Sequence, residues 1–115
     1  MKQNTLRKHE IISNRKRISR ILTEGKRFHG KLVSLYYLPS EKMAFAVLVR
    51  KSIGKAPTRN KIKRWIREIY RTEKIHLPSP CDIILVTHKP NSDIYFHNLK
   101  IEIKTLLKLV TENLS

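Results

Sequence analysis

KSIGKAPTRNKIKRWIREIYR, residues Lys51 to Arg71, carries two patterns at once. Ile62, Trp65, Ile66, Ile69 and Tyr70 recur at i, i+3, i+4, i+7 and i+8, the spacing of a helix with one apolar face. At about 100° per residue, Asn60, Arg64, Arg67 and Arg71 fall roughly opposite that stripe. Lys63 lies at the edge of the polar face and Lys61 on its far side. One face anchors to a core; the other is a nearly unbroken cationic ridge. An ordinary solvated face mixes signs, because like charges at helical spacing repel. Here only Glu68 relieves the charge before Glu73. That stacking points to a polyanion partner.

Working outward, Lys51, Lys55 and Arg59 extend the positive charge into the preceding turn. Arginines fork onto phosphate oxygens, and a helix N-terminus adds free N–H groups and partial positive charge. Asn60 can bond a sugar or a base edge, or act as a local cap. Gly54 permits a turn at positive φ, Pro57 suits a helix start, and Thr58 is the expected N-cap.

Before this stretch, Leu32–Leu38 and Met43–Val49 read as strands, expected to pair as an antiparallel hairpin across residues 39–42. Alternation in the first puts Val33, Leu35 and Tyr37 on one face and Ser34 and Tyr36 on the other. Lys26–Gly30 reads as a short edge strand. Upstream, Ser13 or Asn14 can cap a basic helix stopped by Gly25, with Ile18, Ile21 and Leu22 as its apolar stripe and Arg15, Lys16, Arg17 and Arg20 around it. Residues 1–12 read as a mobile basic arm. Downstream, Cys81–His88 is a near-continuous apolar run that suits the inside of a sheet. Ser92 or Asp93 is the expected cap of a last helix to about Glu112, its buried face drawn from Ile94, Leu99, Ile103, Leu106, Leu107 and Val110. The order is helix, strands, helix, strand, helix: one α+β domain over 1–115 with a small sheet and helices packed on it.

The 115 residues carry 25 Lys and Arg against 9 acidic residues, a net charge of +16. So strong a positive field suits nucleic acid first and an anionic membrane surface second. No apolar run is long enough for a membrane span. The N-terminus has no apolar core of a secretory signal. Cys81 is the only cysteine, so there is no internal disulfide and a reducing cytoplasm fits.

Catalysis finds little support. The five histidines show no metal-ligand spacing, and the nine acidic residues form no paired cluster for Mg²⁺ or acid–base work. His88 is the best single candidate and reads more simply as structural; Cys81 reads as a small buried hydrophobe. We expect no catalytic residue and no metal ligand in the chain. A groove between the first helix and the sheet is a second candidate surface, with Phe28, Tyr36, Tyr37 and Phe45 on or near it. Aromatics among cations suit single-stranded RNA, whereas Phe45 reads rather as core.

The ordered set Ile53-Gly54, Arg59-Asn60, Lys63-Arg64 and Arg67-Glu68, placed after a strand, resembles the signature of the bacterial ribonuclease P protein component. The resemblance spans roughly Leu6 to Val110 and includes Gly25, Leu35, Tyr36 and Asp82. It implies an αβββαβα sandwich whose central helix lies in a left-handed crossover, against the usual right-handed rule. It also implies the protein subunit of an endoribonuclease that removes the 5′ leader of precursor tRNA. The RNA subunit would be the catalyst and bind most of the Mg²⁺, with no cofactor bound by the protein alone, and a monomeric protein would sit in a 1:1 ribonucleoprotein. By that analogy Lys51, Lys55, Arg59, Asn60, Lys63, Arg64, Arg67 and Arg71 would meet the catalytic RNA. Arg15, Ile18, Leu22, Phe28, Tyr36 and Arg50 would line the leader groove. The chain departs from the pattern at Arg50-Lys51-Ser52, where a second lysine is lost. It departs also at Ile18 and Leu22, which replace aromatics, and at Pro57, which replaces the usual valine. The alternative is a basic ribosomal or other structural RNA-binding protein.

Overall fold

Seven strand residues decide the architecture: Cys81–Thr87 are all buried, so this strand is covered on both faces and sits inside the sheet. The computed structural model describes residues 11–73, 77–88 and 94–114. In chain order they form α1 (Arg15–Glu24), β1 (Lys26–His29), β2 (Val33–Pro39), β3 (Ala44–Leu48), α2 (Ala56–Glu73), β4 (Cys81–Thr87) and α3 (Phe96–Leu114), with a 3-10 turn at Lys51–Ile53 before α2. The αβββαβα order is the expected one. The sheet runs β1-β2-β4-β3. β2 is antiparallel to both β1 and β4, and β3 is parallel to β4, so β3–α2–β4 is a parallel crossover.

This order overturns the expected β2–β3 hairpin. The two strands are antiparallel in direction, but β4 lies between them. The reason is burial: β4 is apolar on both faces and would expose one edge and part of a face if placed outside. The connection from Pro39 to Ala44 has only to step over one strand position, roughly 10 Å at normal strand spacing. The Ser40 N–H donates to the Pro80 carbonyl at 3.2 Å, closing the sheet where β4 enters.

The two sheet faces have different covers. Val33, Leu35, Tyr37, Phe45, Val47, Ile83 and Leu85 face the main core, which α2 and α3 complete through Ile62, Ile66, Ile69 and Tyr70 and through Leu99, Ile103, Leu106, Leu107 and Val110. Phe45 stacks on Tyr70 with ring centres 4.0 Å apart, so it is core. Ala44, Ala46, Ile84 and Val86 face the other way and are covered by Ile12 and Ile21, with Ile18, Leu22, Tyr36 and Leu48 at the margin. The alanines let short α1 approach closely, and α1 covers only part of this face.

Local signals account for the helix ends. Asn14 caps α1, its Oδ1 accepting the Arg17 N–H at 3.1 Å. Gly25 ends it in extended backbone: a Cβ there would lie 2.5 Å from the Ile21 carbonyl oxygen and 2.8 Å from that of Tyr37, so close approach excludes a side chain. α2 begins at Ala56, two residues before the expected Thr58 cap, because the Lys55 carbonyl already accepts the Arg59 N–H at 3.0 Å. Pro57 then sits in the first turn, where its missing N–H loses no helical bond. The caps expected for α3, Ser92 and Asp93, lie outside the described residues. Tyr95 precedes this helix, and Asn98 reaches back to accept its N–H at 2.8 Å. Ile94, assigned to the helical stripe, stands just before the helix and still packs on the core. Of the basic arm expected over 1–12, residues 1–10 lie outside the described residues. Ile12 is buried, and its N–H donates to the Phe45 carbonyl at 2.7 Å.

Candidate nucleic-acid interface

The chain leaves β3 through Arg50 and the 3-10 turn and reverses at Gly54, whose φ of 157° and ψ of −166° belong to glycine. This turn fixes where α2 begins and sets Lys51 and Lys55, both exposed, ahead of its N-terminus. Along α2 the apolar stripe goes into the core, so the opposite face is obliged to point outward. Asn60, Arg64 and Arg67 are exposed there, with Lys63 and Arg59 half-buried. The Arg59 Nε is buried with no hydrogen-bond partner among the described residues. Glu68 is engaged by Arg71, whose Nε donates to it at 3.1 Å. This hydrogen bond holds the Glu68 carboxyl below the usual carboxylate range. No ion pair among the described residues takes up Arg64 or Arg67. Lys61 turns aside, its Nζ 5.1 Å from the centre of the Trp65 ring, and Trp65 meets Phe96 edge-on. The ridge is therefore Lys51, Lys55, Arg59, Asn60, Lys63, Arg64 and Arg67, with Arg71 tied to Glu68.

On the other side of the sheet, Leu22, Tyr36, Leu48, Val49, Arg50 and Val86 line a cleft of about 260 Å³ beside α1. Ile18 packs on the same cluster, and Arg15 is exposed on the first turn of α1. Arg17 holds the helix in place, its Nη2 donating to the buried Asp82 carboxylate of β4 at 2.6 Å. Phe28 is a correction. It pairs in register with Leu35, belongs to the opposite face and stacks on Tyr37 at 5.8 Å. The period-2 alternation of β1 puts Arg27 and His29, rather than Phe28, on the groove face.

Those two residues lead to a cluster that sequence reasoning missed. His29 Nδ1 lies 3.0 Å from Arg27 Nη2 and 2.9 Å from Ser34 Oγ, which is 2.7 Å from His88 Nε2. Alternation could have paired His29 with Ser34, but His88 joins them only through the β2–β4 register. The cluster is not a hydrolytic triad: Ser34 is 1% exposed, too deep to attack a substrate. Cys81 is no nucleophile either, since burial, with Asp82 beside it, pushes its thiol up to about 12.

Fold and surface together define a small α+β protein with a cationic helix face on one side and a narrow apolar groove with basic rims on the other, a polyanion-binding module. Residues 6–111 match the family model of ribonuclease P, and the chain belongs to the ribonuclease P protein component family. It is 35% identical over 98 residues to the ribonuclease P protein component of Dictyoglomus turgidum, covering 81% of this chain and 82% of that one. It is 36% identical over 89 residues to that of Chlorobium phaeobacteroides, of which the match spans 60%. Among solved structures it resembles the RNase P protein of Staphylococcus aureus (TM-score 0.80, 26% identity, 87% of this chain and 94% of that one). It also resembles that of Thermotoga maritima (TM-score 0.74, 28% identity, 90% and 96%).

Proposed function

We propose that this chain is the protein subunit of ribonuclease P and promotes removal of the 5′ leader from precursor tRNA. The observation that carries the reading is the division of the surface by the sheet: a cationic ridge on α2 and a separate groove beside α1. Two RNA segments can be held at once without competing. The ridge meets the catalytic RNA. Its guanidinium groups contact phosphates, releasing counterions, while Asn60 and the start of α2 supply neutral donors. The groove receives the single-stranded leader, with Tyr36 as stacking surface, Leu22, Leu48 and Val86 as apolar walls, and Arg50 at the rim.

On this reading the protein itself does not perform the cleavage. The Glu68 and Asp82 carboxylates are taken by arginines, and Glu102 accepts three backbone N–H groups. With these carboxylates engaged, we assign the Mg²⁺ to the RNA, which on this reading supplies the catalyst. The protein contributes by offsetting phosphate repulsion between leader and catalytic RNA, as one protein to one RNA. No helix among the described residues is long and apolar enough to cross a membrane; we place the complex in the cytoplasm.

The test is reconstitution with catalytic RNA and precursor tRNA at low Mg²⁺. The protein should raise the rate of leader removal and lower the metal requirement; an unchanged rate would sink the reading. Arg64→Ala with Arg67→Ala should weaken RNA binding and reduce the slope of log K against log salt by about 1–2. An unaltered slope would make the ridge a merely solvated surface.

A further inference from the structure

The groove beside α1 does not end at its apolar walls. Cross-strand register sets Arg27 beside Tyr36 and His29 beside Ser34 on β1 and β2. The same row continues through Val86 on β4 to Leu48 on β3. His88 lies two residues beyond Val86, and Arg50 two beyond Leu48, so both fall in the next row. Arg50 lines the cleft, and beyond it His29 and His88, linked through the buried Ser34 hydroxyl, border a cavity of about 880 Å³ shared with Leu32 of the β1–β2 turn and Glu102 of α3. The two imidazole rings are 4.7 Å apart.

The hydrogen-bond directions in this cluster are determined by one residue. A guanidinium can only donate, so His29 Nδ1, 3.0 Å from Arg27 Nη2, must be an acceptor, and the His29 proton sits on Nε2. The Ser34 hydroxyl then turns its hydrogen toward His29 Nδ1 and accepts from His88 Nε2–H. Of the four ring nitrogens, only His88 Nδ1 can take a proton without breaking a link. Its surroundings oppose that proton. Burial, then His29, Arg50 and Arg27, hold the His88 imidazole below its ordinary value, and Glu102 of α3 alone pulls the other way. From α1, Leu22 lines the cleft, and from the β1–β2 turn Lys31 lines the cavity that His88 borders. A cation is poorly served here, since Arg27 points at the ring nitrogen a metal would need. An anion would be welcomed twice, by the arginines and by the imidazolium it would induce.

We infer that His29 and His88, bridged by the buried Ser34 hydroxyl and flanked by Arg27 and Arg50, form a proton-linked phosphate site beyond the Arg50 end of the groove, binding a backbone phosphodiester of the single strand as it leaves the groove while His88 takes up a proton. This rests on the reading that the groove holds single-stranded RNA. Binding consumes a proton from solvent, which goes to His88 Nδ1; no covalent bond changes. Affinity for a strand long enough to reach the cluster rises as pH falls, approaching about tenfold per pH unit between the free and bound pKa values of His88.

The experiment uses the protein with its catalytic RNA and two precursor tRNAs, one with a long leader and one with none, under ionic conditions that suppress cleavage. Dissociation constants are measured from pH 5.5 to 8.0 at constant ionic strength, and proton uptake by titration calorimetry in two buffers of different ionisation enthalpy. For the long leader we expect tighter binding at low pH and net proton uptake, both absent for the leaderless substrate. His88→Gln should flatten the pH profile. His88→Arg should flatten it too while keeping the tighter affinity up to pH 8.0, a rescue that a merely structural histidine would not give. Equal pH profiles in the wild type and both variants, or equal proton uptake with and without a leader, would overturn the site while leaving the groove reading intact. Loss of any leader-dependent affinity in the wild type at every pH would overturn both.

Discussion

Glu102 shows how much one side chain can organise. Its carboxylate accepts from three consecutive backbone groups of the β1–β2 turn, Lys31 N–H at 3.1 Å and Leu32 and Val33 N–H at 2.7 Å each. It thereby ties α3 to a turn about seventy residues earlier. Gly30 leaves room for it, since a Cβ at that position would lie 2.5 Å from Glu102 Oε2. Leu32 and Val33 are buried, so their N–H groups have no easy recourse to water. Glu102→Ala should cost about 1–3 kcal/mol of unfolding free energy, read as a lower urea midpoint with unchanged m-value. An unchanged midpoint would mean that water replaces the carboxylate. Nothing in the local sequence marks this glutamate, which looks like any polar residue on an amphipathic helix. Its role comes from partners that only folding brings near.

At the scale of elements, α1 is the informative case. Ten residues of strongly basic helix would be marginal alone. Three contacts hold it: the Asn14 cap, Ile21 fully buried against the sheet, and Arg17 on Asp82. The cap and the apolar stripe are visible in the sequence because they depend on neighbours within four residues. The ion pair is not, and it fixes where the helix lies across the sheet and hence the shape of the groove. Arg17→Ala leaves the Asp82 carboxylate buried without its cation. Allowing for the exposed half of the pair, the loss should be about 1–2 kcal/mol. Affinity for a long-leader substrate should fall as well, while binding of leaderless substrate is kept. Equal losses for both substrates would show that α1 does not shape the groove. α2 gives the reverse lesson. Its stripe and ridge are readable residue by residue, and only its first turn was misplaced, because a proline in that position starts a helix as readily as it precedes one.

For the whole molecule, charge and titration set the conditions under which the fold persists. The net charge of +16 works against compaction, and a bound polyanion offsets it. His88 adds a pH dependence. Its native pKa lies below the ordinary value of 6.5, so as pH falls past that value the unfolded chain takes up a proton that the native chain resists. The contribution of this residue is complete above about pH 6.5 and declines as pH falls toward the native pKa. The urea midpoint of the RNA-free protein should therefore drop between pH 6.5 and 5, and His88→Gln should reduce that drop. An identical decline in the variant would assign it to other groups. The decline in stability and the proposed proton uptake on binding share one cause: an imidazole kept neutral among cations until an anion arrives.

The sequence by itself determined the charge, the element order, the two-faced character of α2, the capping of α1 by asparagine and the burial of β4. Each rests on spacings of two to four residues, which backbone periodicity converts directly into a face or an end. Tertiary structure alone decided which strand lies beside which, because strand order depends on the burial of the sheet as a whole, and a strand apolar on both faces takes the centre. That order then decided the groove. It brought His88 beside His29 and Ser34, drawing three strands' ends into one hydrogen-bonded row, while the β1–β2 register sent Phe28 to the core side and left Tyr36 at the wall.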